Sequence, residues 1–470
     1  MERKYAWHEY NEQDMKALNA LCDEYMAFLD AGKTERECVQ QSVALAEAKG
    51  YRNLKEVLAK GDTIKAGDKL YAVQMKKAVA LFNIGTEPIE DGMNILGAHI
   101  DSPRLDVKQN PFYEDSNLAF FDTHYYDGIK KYHWVAMPLA LHGVVVKKDG
   151  TVIPISIGEK ETDPVFCVTD LLPHLGQEQM EKKAAKVIEG EALDLLIGSR
   201  PVKGELKEGV TKFLQDVFTN EYGFEEEDLL SAELEIVPAG KAREMGFDRS
   251  MIIAYGQDDR VCAYTSLAAM LEVDTVARTS CTLLVDKEEI GSVGATGMQS
   301  RFFENIVAEL LEGMGITSPL AVRRTLENSR MLSSDVSAGY DPLYASAFEK
   351  KNAAFLGKGV VFNKFTGARG KSGSNDANAE YMSLVRRIMD DNKVTFQTAE
   401  LGRVDLGGGG TIAYIMALYG MNVIDCGVAV LSMHAPWEVT SKADIYEAKK
   451  CYVAFLQAAG KESVLNDLCK

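Results

Sequence analysis

The sequence predicts an α/β protein, a central and mostly parallel sheet flanked by helices, with a β-rich domain inserted into it. From Met251 onward, short apolar strand-like runs alternate with helical ones, the order that puts helices on both faces of a parallel sheet. Several of these runs stop abruptly at acidic or imidazole side chains, as strands of open α/β sheets do where their carboxyl ends surround a ligand site. Between positions 104 and 249 the texture turns aromatic and loop-like and carries a hairpin signal. At 470 residues the chain also exceeds what one hydrophobic core serves. We therefore expect residues 1–103 and 250–470 to form one domain and 104–249 an insertion.

In chain order, residues 12–49 read as helix, broken at Gly32-Lys33-Thr34. Tyr71 to Ile84 and Met93 to Ile100 read as strands, the second ending in His99-Ile-Asp101. Within the insertion, β-branched runs flank Asp149-Gly150, which predicts a hairpin. The Lys/Glu-rich stretch from Gln177 to Glu227 reads as a solvated helical or loop surface. After it, Cys262 to Arg278, Phe302 to Met314 and Ala377 to Met389 read as helices. Thr282–Val285, Gly359–Phe362, Asn422–Ile424 and Gly427–Leu431 read as strands. Ser441 to Ala459 closes the chain as a helix, with Ser441 and Asp444 spaced as a capping box.

Apolar residues make up 46% and charged residues 26% of the chain, an ordinary soluble-globular composition. A net charge of −18 argues against nucleic acid or an anionic membrane as the main partner. The eight cysteines form no C-x-x-C pair and several lie in apolar runs, as small reduced core residues do. The N-terminal stretch has no apolar core of a signal peptide, and no run reaches the roughly 18 apolar residues of a bilayer span. The expectation is a cytoplasmic protein with reduced cysteines.

Five strand-like segments end in side chains that bind metals: His99 with Asp101, Asp258 with Asp259, Glu288 with Glu289, Asp335, and His434. Carboxylates brought together repel by about 4 kcal/mol per pair at 4 Å and an effective dielectric near 20. A divalent cation removes that penalty, and mixed imidazole and carboxylate donors suit zinc, with cobalt and manganese as alternatives. Spacing does not choose between Asp258 and Asp259, whereas Asp335 is preferred to Asp341, which precedes Pro342 as a turn residue does.

The segments Gly97-Ala-His-Ile-Asp101-Ser-Pro-Arg, Gly256-Gln-Asp-Asp-Arg260, Asp286-Lys-Glu-Glu-Ile-Gly-Ser292, Ser333-Ser-Asp335 and Ser432-Met-His434-Ala resemble, in order, the motifs of the M18 aminopeptidases, which include the aspartyl aminopeptidases. The resemblance covers nearly the whole chain. It implies a zinc-peptidase-type catalytic domain with a co-catalytic pair of divalent ions. It also implies that the insertion dimerises and that the dimers assemble into a tetrahedral dodecamer. Position by position, Asp258 resembles the carboxylate bridging both metals, His99 and Asp335 complete one site, and Glu289 and His434 the other. Asp101 would orient His99, and Glu288 would be the general base. The substrates implied are short peptides with a free amino terminus.

Within Leu172-Pro-His174-Leu, His174 resembles a family histidine that enters the neighbouring subunit's site. Family members that prefer acidic N-terminal residues carry a lysine soon after the Gly359 strand, which here points to Lys364. The Gly407–Thr411 loop, with Gly409 at its centre, departs from the Cys-Gly-Thr pattern of aspartyl enzymes, so a neutral or hydrophobic N-terminal residue is an equal expectation. Gly370-Lys371-Ser372 mimics the tail of a phosphate-binding loop, but Phe365 stands where its first glycine belongs. Two rivals to the peptidase are a deacylase or amidohydrolase on the same metal centre and a non-catalytic assembly or cargo-binding homologue. An intact Glu288 argues against the second.

Overall fold

In the computed structural model, residues 4–205 and 207–459 are described. Contacts divide the chain into two compact units, Met1–Asp101 with Ala242–Met433 and Glu438–Lys470, and Ser102–Lys241 with His434–Trp437.

The first unit is built on a nine-stranded sheet. Its centre is four parallel strands, Ser280–Val285, Asn94–His99, Arg330–Ser333 and Asn422–Gly427, paired in that order. Every residue of these strands except Asn422 is buried, because both faces of the sheet are covered. Neighbouring residues serve opposite cores. Leu96, Leu284, Leu332 and Ile424 pack with the helices Glu12–Ala31, Gln257–Glu272 and Lys442–Gln457. Ile95, Leu283, Met331 and Val423 pack with Phe302–Gly313 and Ala413–Ala417 on the other side. That alternation is the period of two of a pleated strand. A second sheet of five short strands includes Met251–Ala254, Glu438–Ser441 and Ala429–Leu431.

The N-terminal helical stretch divides where Gly32-Lys33-Thr34 breaks it, into Glu12–Ala31 and Glu35–Ala48. Each half starts from a capping box, on Asn11 with Asp14 and on Thr34 with Glu37. Two local expectations fail. Tyr71 to Ile84 is not one strand but an antiparallel pair, Lys69–Gln74 and Ala78–Asn83. The chain reverses through Met75, Lys76 and Lys77, between the paired Gln74 and Ala78; Lys77 N donates to the Gln74 oxygen at 2.9 Å, and Met75 and Lys76 lie at positive φ (46° and 62°). The turn carries polar residues, Gln74, Lys76 and Lys77, but none of the Gly, Asn, Asp or Pro that mark such a turn in sequence. At the last helix, Ser441 makes no side-chain cap. Asp444 is drawn off instead, its carboxylate accepting from Gly357 N and Gly359 N at 2.8 Å each.

The second unit carries a six-stranded sheet, antiparallel at every pairing. The hairpin around Asp149-Gly150 joins Leu139–Val146 to Val152–Ile157, with Gly150 at φ +87° and Thr151 N donating to Asp149. The Lys/Glu-rich stretch forms short helices, Gln177–Met180, Ala184–Val187 and Gly209–Val217, but against expectation it also supplies an edge strand of the sheet, Leu195–Gly198.

Asp425, on the strand Asn422–Gly427, is 2% exposed and lies beside Ser333 in register. Burial pushes its carboxyl up to about 7, against the lowering effect of the Thr411 and Ser333 hydroxyls. Between the unfolded value near 3.9 and about 7 the folded state keeps a proton that the unfolded chain has lost. This contribution to stability is therefore full at low pH and is lost as pH rises through 7, by up to about 1.4 kcal/mol per unit. Asp425→Asn is expected to flatten that slope and to melt above the parent at pH 8. Melting curves from pH 5 to 8.5 check this, and a slope identical to the parent's would place the titration elsewhere.

Candidate metal centre

Seven of the anticipated side chains, His99, Asp101, Asp258, Asp259, Glu288, Glu289 and Asp335, come together around the carboxyl ends of the central parallel strands. His99 is the last residue of Asn94–His99, and its ring is buried. Its Nδ1 lies 3.0 Å from the Asp101 backbone oxygen and 3.3 Å from Asp101 Oδ1. This fixes a proton on Nδ1 and turns Nε2 toward three acids. Asp258 Oδ1 is 3.3 Å away, Asp335 Oδ1 3.9 Å and Glu288 Oε2 4.0 Å.

Each acid arrives by its own local device. The strand Ser280–Val285 runs out at Asp286, and Lys287 at φ +70° starts a single 3-10 turn, Glu288–Ile290. Gly291, at φ +97°, ends it. Asp101 holds this turn: its Oδ1 accepts from Glu288 N and its Oδ2 from Glu289 N, both at 3.2 Å. One buried carboxylate thus orients the imidazole and anchors both glutamates. Asp258 and Asp259 open the segment Gln257–Glu272 in non-helical conformations. Asp258 N donates to Glu438 Oε2 at 2.9 Å, and Asp259 Oδ2 accepts from His99 N at 3.3 Å. Asp335 follows the strand Arg330–Ser333 and lies against Gly427, where a Cβ would come within 1.8 Å of the Asp335 carbonyl oxygen.

Donor atoms of His99, Asp258 and Glu289 lie within 4.8 Å of one another, as do those of His99, Glu288 and Asp335, and of Asp258, Asp259 and Asp335. Burial holds the Asp259 and Asp335 carboxyls well above the usual range, and neighbouring acids push in the same direction. Burial alone would lower His99, but Asp101 and Asp258 outweigh it and hold the ring well above its ordinary value. His99 is thus either the cation the acids require or, once neutral, a ligand of one. With Nδ1 as donor, Nε2 and Asp258 Oδ1 are two acceptors 3.3 Å apart, an arrangement that a shared cation satisfies. This donor set fits a divalent metal.

His434, at φ +63°, belongs to the second unit, where its Nδ1 is 2.9 Å from Asp127 Oδ2 and 3.3 Å from the Gly128 oxygen. His174 is exposed in a turn ahead of Gln177–Met180. Lys364 follows the strand Val360–Asn363, and its Nζ pairs with Asp376 at 2.7 Å. Gly409 donates to the Thr366 oxygen and leaves the space beside its Cα open. Asp341 accepts from Leu343 N at 2.8 Å, a turn role. Sequence reasoning missed Glu438 and Asp127. Both act through partners far away in the chain, and the local hint is that Glu438 begins a strand and Asp127 directly follows one.

The chain matches the family described as Aminopeptidase I zinc metalloprotease (M18) over residues 28–456. It is 60% identical over 456 residues to a probable M18 family aminopeptidase 1 of Clostridium acetobutylicum, covering 97% of this chain and 98% of that one. The crystal structure of the M18 aminopeptidase of Thermotoga maritima superposes with a TM-score of 0.93 at 43% identity, covering 97% and 99% of the two chains. The S. cerevesiae mApe1 dodecamer shares the fold at 19% identity and a TM-score of 0.76, over 97% and 98%. The chain belongs to the M18 family of zinc metallo-aminopeptidases.

Proposed function

We propose that this aminopeptidase is a dinuclear zinc enzyme that removes the N-terminal residue from short peptides with a free amino terminus. Asp258 would bridge the two ions, with His99 and Asp335 on one and Glu289 and His434 on the other. The observation that carries the assignment is the buried ring of His99 facing Asp258, Asp335 and Glu288 within 4.0 Å. A pair of divalent ions, when bound, lowers the pKa of water and polarises a carbonyl.

The chain's own part in the reaction follows from its geometry. Glu288, on the turn that Asp101 anchors, accepts the proton of the attacking water. The scissile carbonyl carbon gains a C–O bond, and the C–N bond breaks as Glu288 returns the proton to the leaving amide nitrogen. Asp101 keeps the His99 ring and both glutamate backbones in register. In this reading 1–103 and 250–470 are the catalytic domain, and 104–249 dimerises and controls access. His174 would reach a neighbouring site, with Lys364 and the loop at Gly409 against the substrate. The copies would pair and assemble into a tetrahedral dodecamer in the cytoplasm. Supporting this are the mApe1 dodecamer and a described chain with no helix long and apolar enough to cross a membrane.

The test is a peptide panel on chelator-stripped protein titrated with zinc. Activity should return fully only at two equivalents per chain, on peptides with a free amino terminus and not on their N-acetyl forms. Saturation at one equivalent would defeat the dinuclear centre. Equal cleavage of N-acetyl peptides would favour the deacylase rival. Asp-, Glu-, Leu- and Met- substrates compared side by side identify the N-terminal preference.

A further inference from the structure

Arg260 closes the segment Gly256-Gln-Asp-Asp-Arg260, and the proposed chemistry gives it no part. Its side chain is 1% exposed and is among the largest fully buried ones of the chain. Placing a guanidinium in a core is costly unless its N–H groups have acceptors to serve. Here Nε donates to the Ile100 oxygen at 3.2 Å and Nη2 to the Lys33 oxygen at 2.9 Å. The guanidinium carbon also lies 5.4 Å from the centre of the Tyr255 ring, within reach of its π face.

The two acceptors join Arg260 to very different places. Lys33 lies in the break between the helices Glu12–Ala31 and Glu35–Ala48, where its backbone N–H donates to Glu37 Oε2 at 2.8 Å. Ile100 stands between His99 and Asp101, fully buried, and its own N–H donates to the Val285 oxygen at 2.9 Å. The stretch that carries the imidazole and the carboxylate orienting it is thus gripped at consecutive residues by consecutive side chains. Asp259 Oδ2 accepts from His99 N at 3.3 Å, and Arg260 donates to the Ile100 oxygen. Asp258 directly precedes both, so any shift of Asp258 against His99 stretches both bonds. Metal coordination needs ligands held to within about 0.5 Å, and this pair of cross-links acts on the 3.3 Å between His99 Nε2 and Asp258 Oδ1.

The join depends on the shape of the guanidinium as well as its charge. Nε and Nη2 form one planar edge with two roughly parallel N–H donors in fixed geometry. Each donor is taken by a carbonyl from a different segment. A lysine ammonium carries all its donors on one atom at the end of a flexible stem, so it serves one carbonyl and releases the other.

We propose that Arg260 is a positioning residue: by tying the Ile100 carbonyl to its own segment and to the helix break at Lys33, it sets His99 and Asp258 at the separation a shared zinc ion needs. The proposal rests on the assignment of His99 and Asp258 as zinc ligands. The test is competition with a chelator of known zinc affinity on full-length protein, for the parent, Arg260→Lys, His99→Ala and Leu18→Ala. Melting of each zinc-free form is recorded alongside. Arg260→Lys keeps the positive charge and should bind zinc about 10- to 100-fold more weakly, the range for supports behind a ligating imidazole. Leu18→Ala opens a cavity in the core that the helix Glu12–Ala31 shares with Gln257–Glu272. It should lower the melting temperature and bind zinc as the parent does. An equal loss of zinc affinity in Leu18→Ala traces the effect to general loosening and overturns the proposal. Parent-like affinity in Arg260→Lys, beside a loss in His99→Ala, overturns the positioning role while leaving the ligand assignment standing. Parent-like affinity in His99→Ala fails that assignment, and the proposal with it. An Arg260→Lys chain that is unfolded without zinc assigns Arg260 to the fold and likewise overturns the proposal.

Discussion

Glu288→Gln is expected to lower kcat by about 10² to 10⁴, the span of general acid–base contributions, with zinc content unchanged. Two features of the site make the substitution clean. The backbone N–H that Asp101 accepts is retained in the variant, so the turn stays anchored. Glutamine also fills the same volume 4.0 Å from His99 Nε2, yet it cannot take a proton from water. KM should change little, since the loss falls in the transition state. Steady-state rates on a free-N-terminus peptide, paired with metal analysis of the same sample, check this. Near-normal turnover at full zinc would remove Glu288 from the base role. The companion variant Glu289→Gln separates the two neighbours, because a ligand's loss should appear first as weaker zinc retention and only then as slower turnover.

The parallel centre of the fold is legible in the sequence because its strands are covered on both faces. Asn94–His99 and Ser280–Val285 are buried at every position, with apolar residues through their centres, and then stop at His99 and before Asp286. That sudden polarity is also the signal for the site, since an apolar run ending in a costly charge needs a reason. What is not legible falls into two physical classes. One is local geometry without a side-chain signature. Met75 and Lys76 make the hairpin turn at positive φ although neither is glycine, asparagine or aspartate. The other is a choice between competing long-range partners. Asp444 has the spacing of a capping residue, but two backbone N–H groups, of Gly357 and Gly359, claim its carboxylate. The hold of Glu438 on Asp258 spans 180 positions, and no periodicity encodes it. Surface residues such as Lys364 and His174 carry neither signal. Only the resemblance to a family singled them out, and Lys364 is engaged by Asp376.

Asp101→Asn is expected to cost both metal affinity and turnover, and the double loss distinguishes it from Glu288→Gln. The recipients of the carboxylate include His99 Nδ1 at 3.3 Å and the backbone nitrogens of Glu288 and Glu289 at 3.2 Å. Asparagine offers one acceptor oxygen in place of two, and its amide nitrogen must then face a donor. Either the ring or the turn loses its anchor, and a buried donor without a partner costs about 1–3 kcal/mol. Removing such a support behind a ligating imidazole weakens metal binding about 10- to 100-fold. Saturating zinc should restore occupancy but not the full rate, because the turn that carries Glu288 remains loosened. Competition with a chelator of known affinity measures the first effect, and kcat at saturating zinc the second. If zinc affinity and kcat both match the parent, Asp101 is a bystander and the coupling between the imidazole and the glutamate turn has no functional weight. If zinc restores the full rate, Asp101 acts on the imidazole alone, and the hydrogen bonds to Glu288 and Glu289 serve only the local fold.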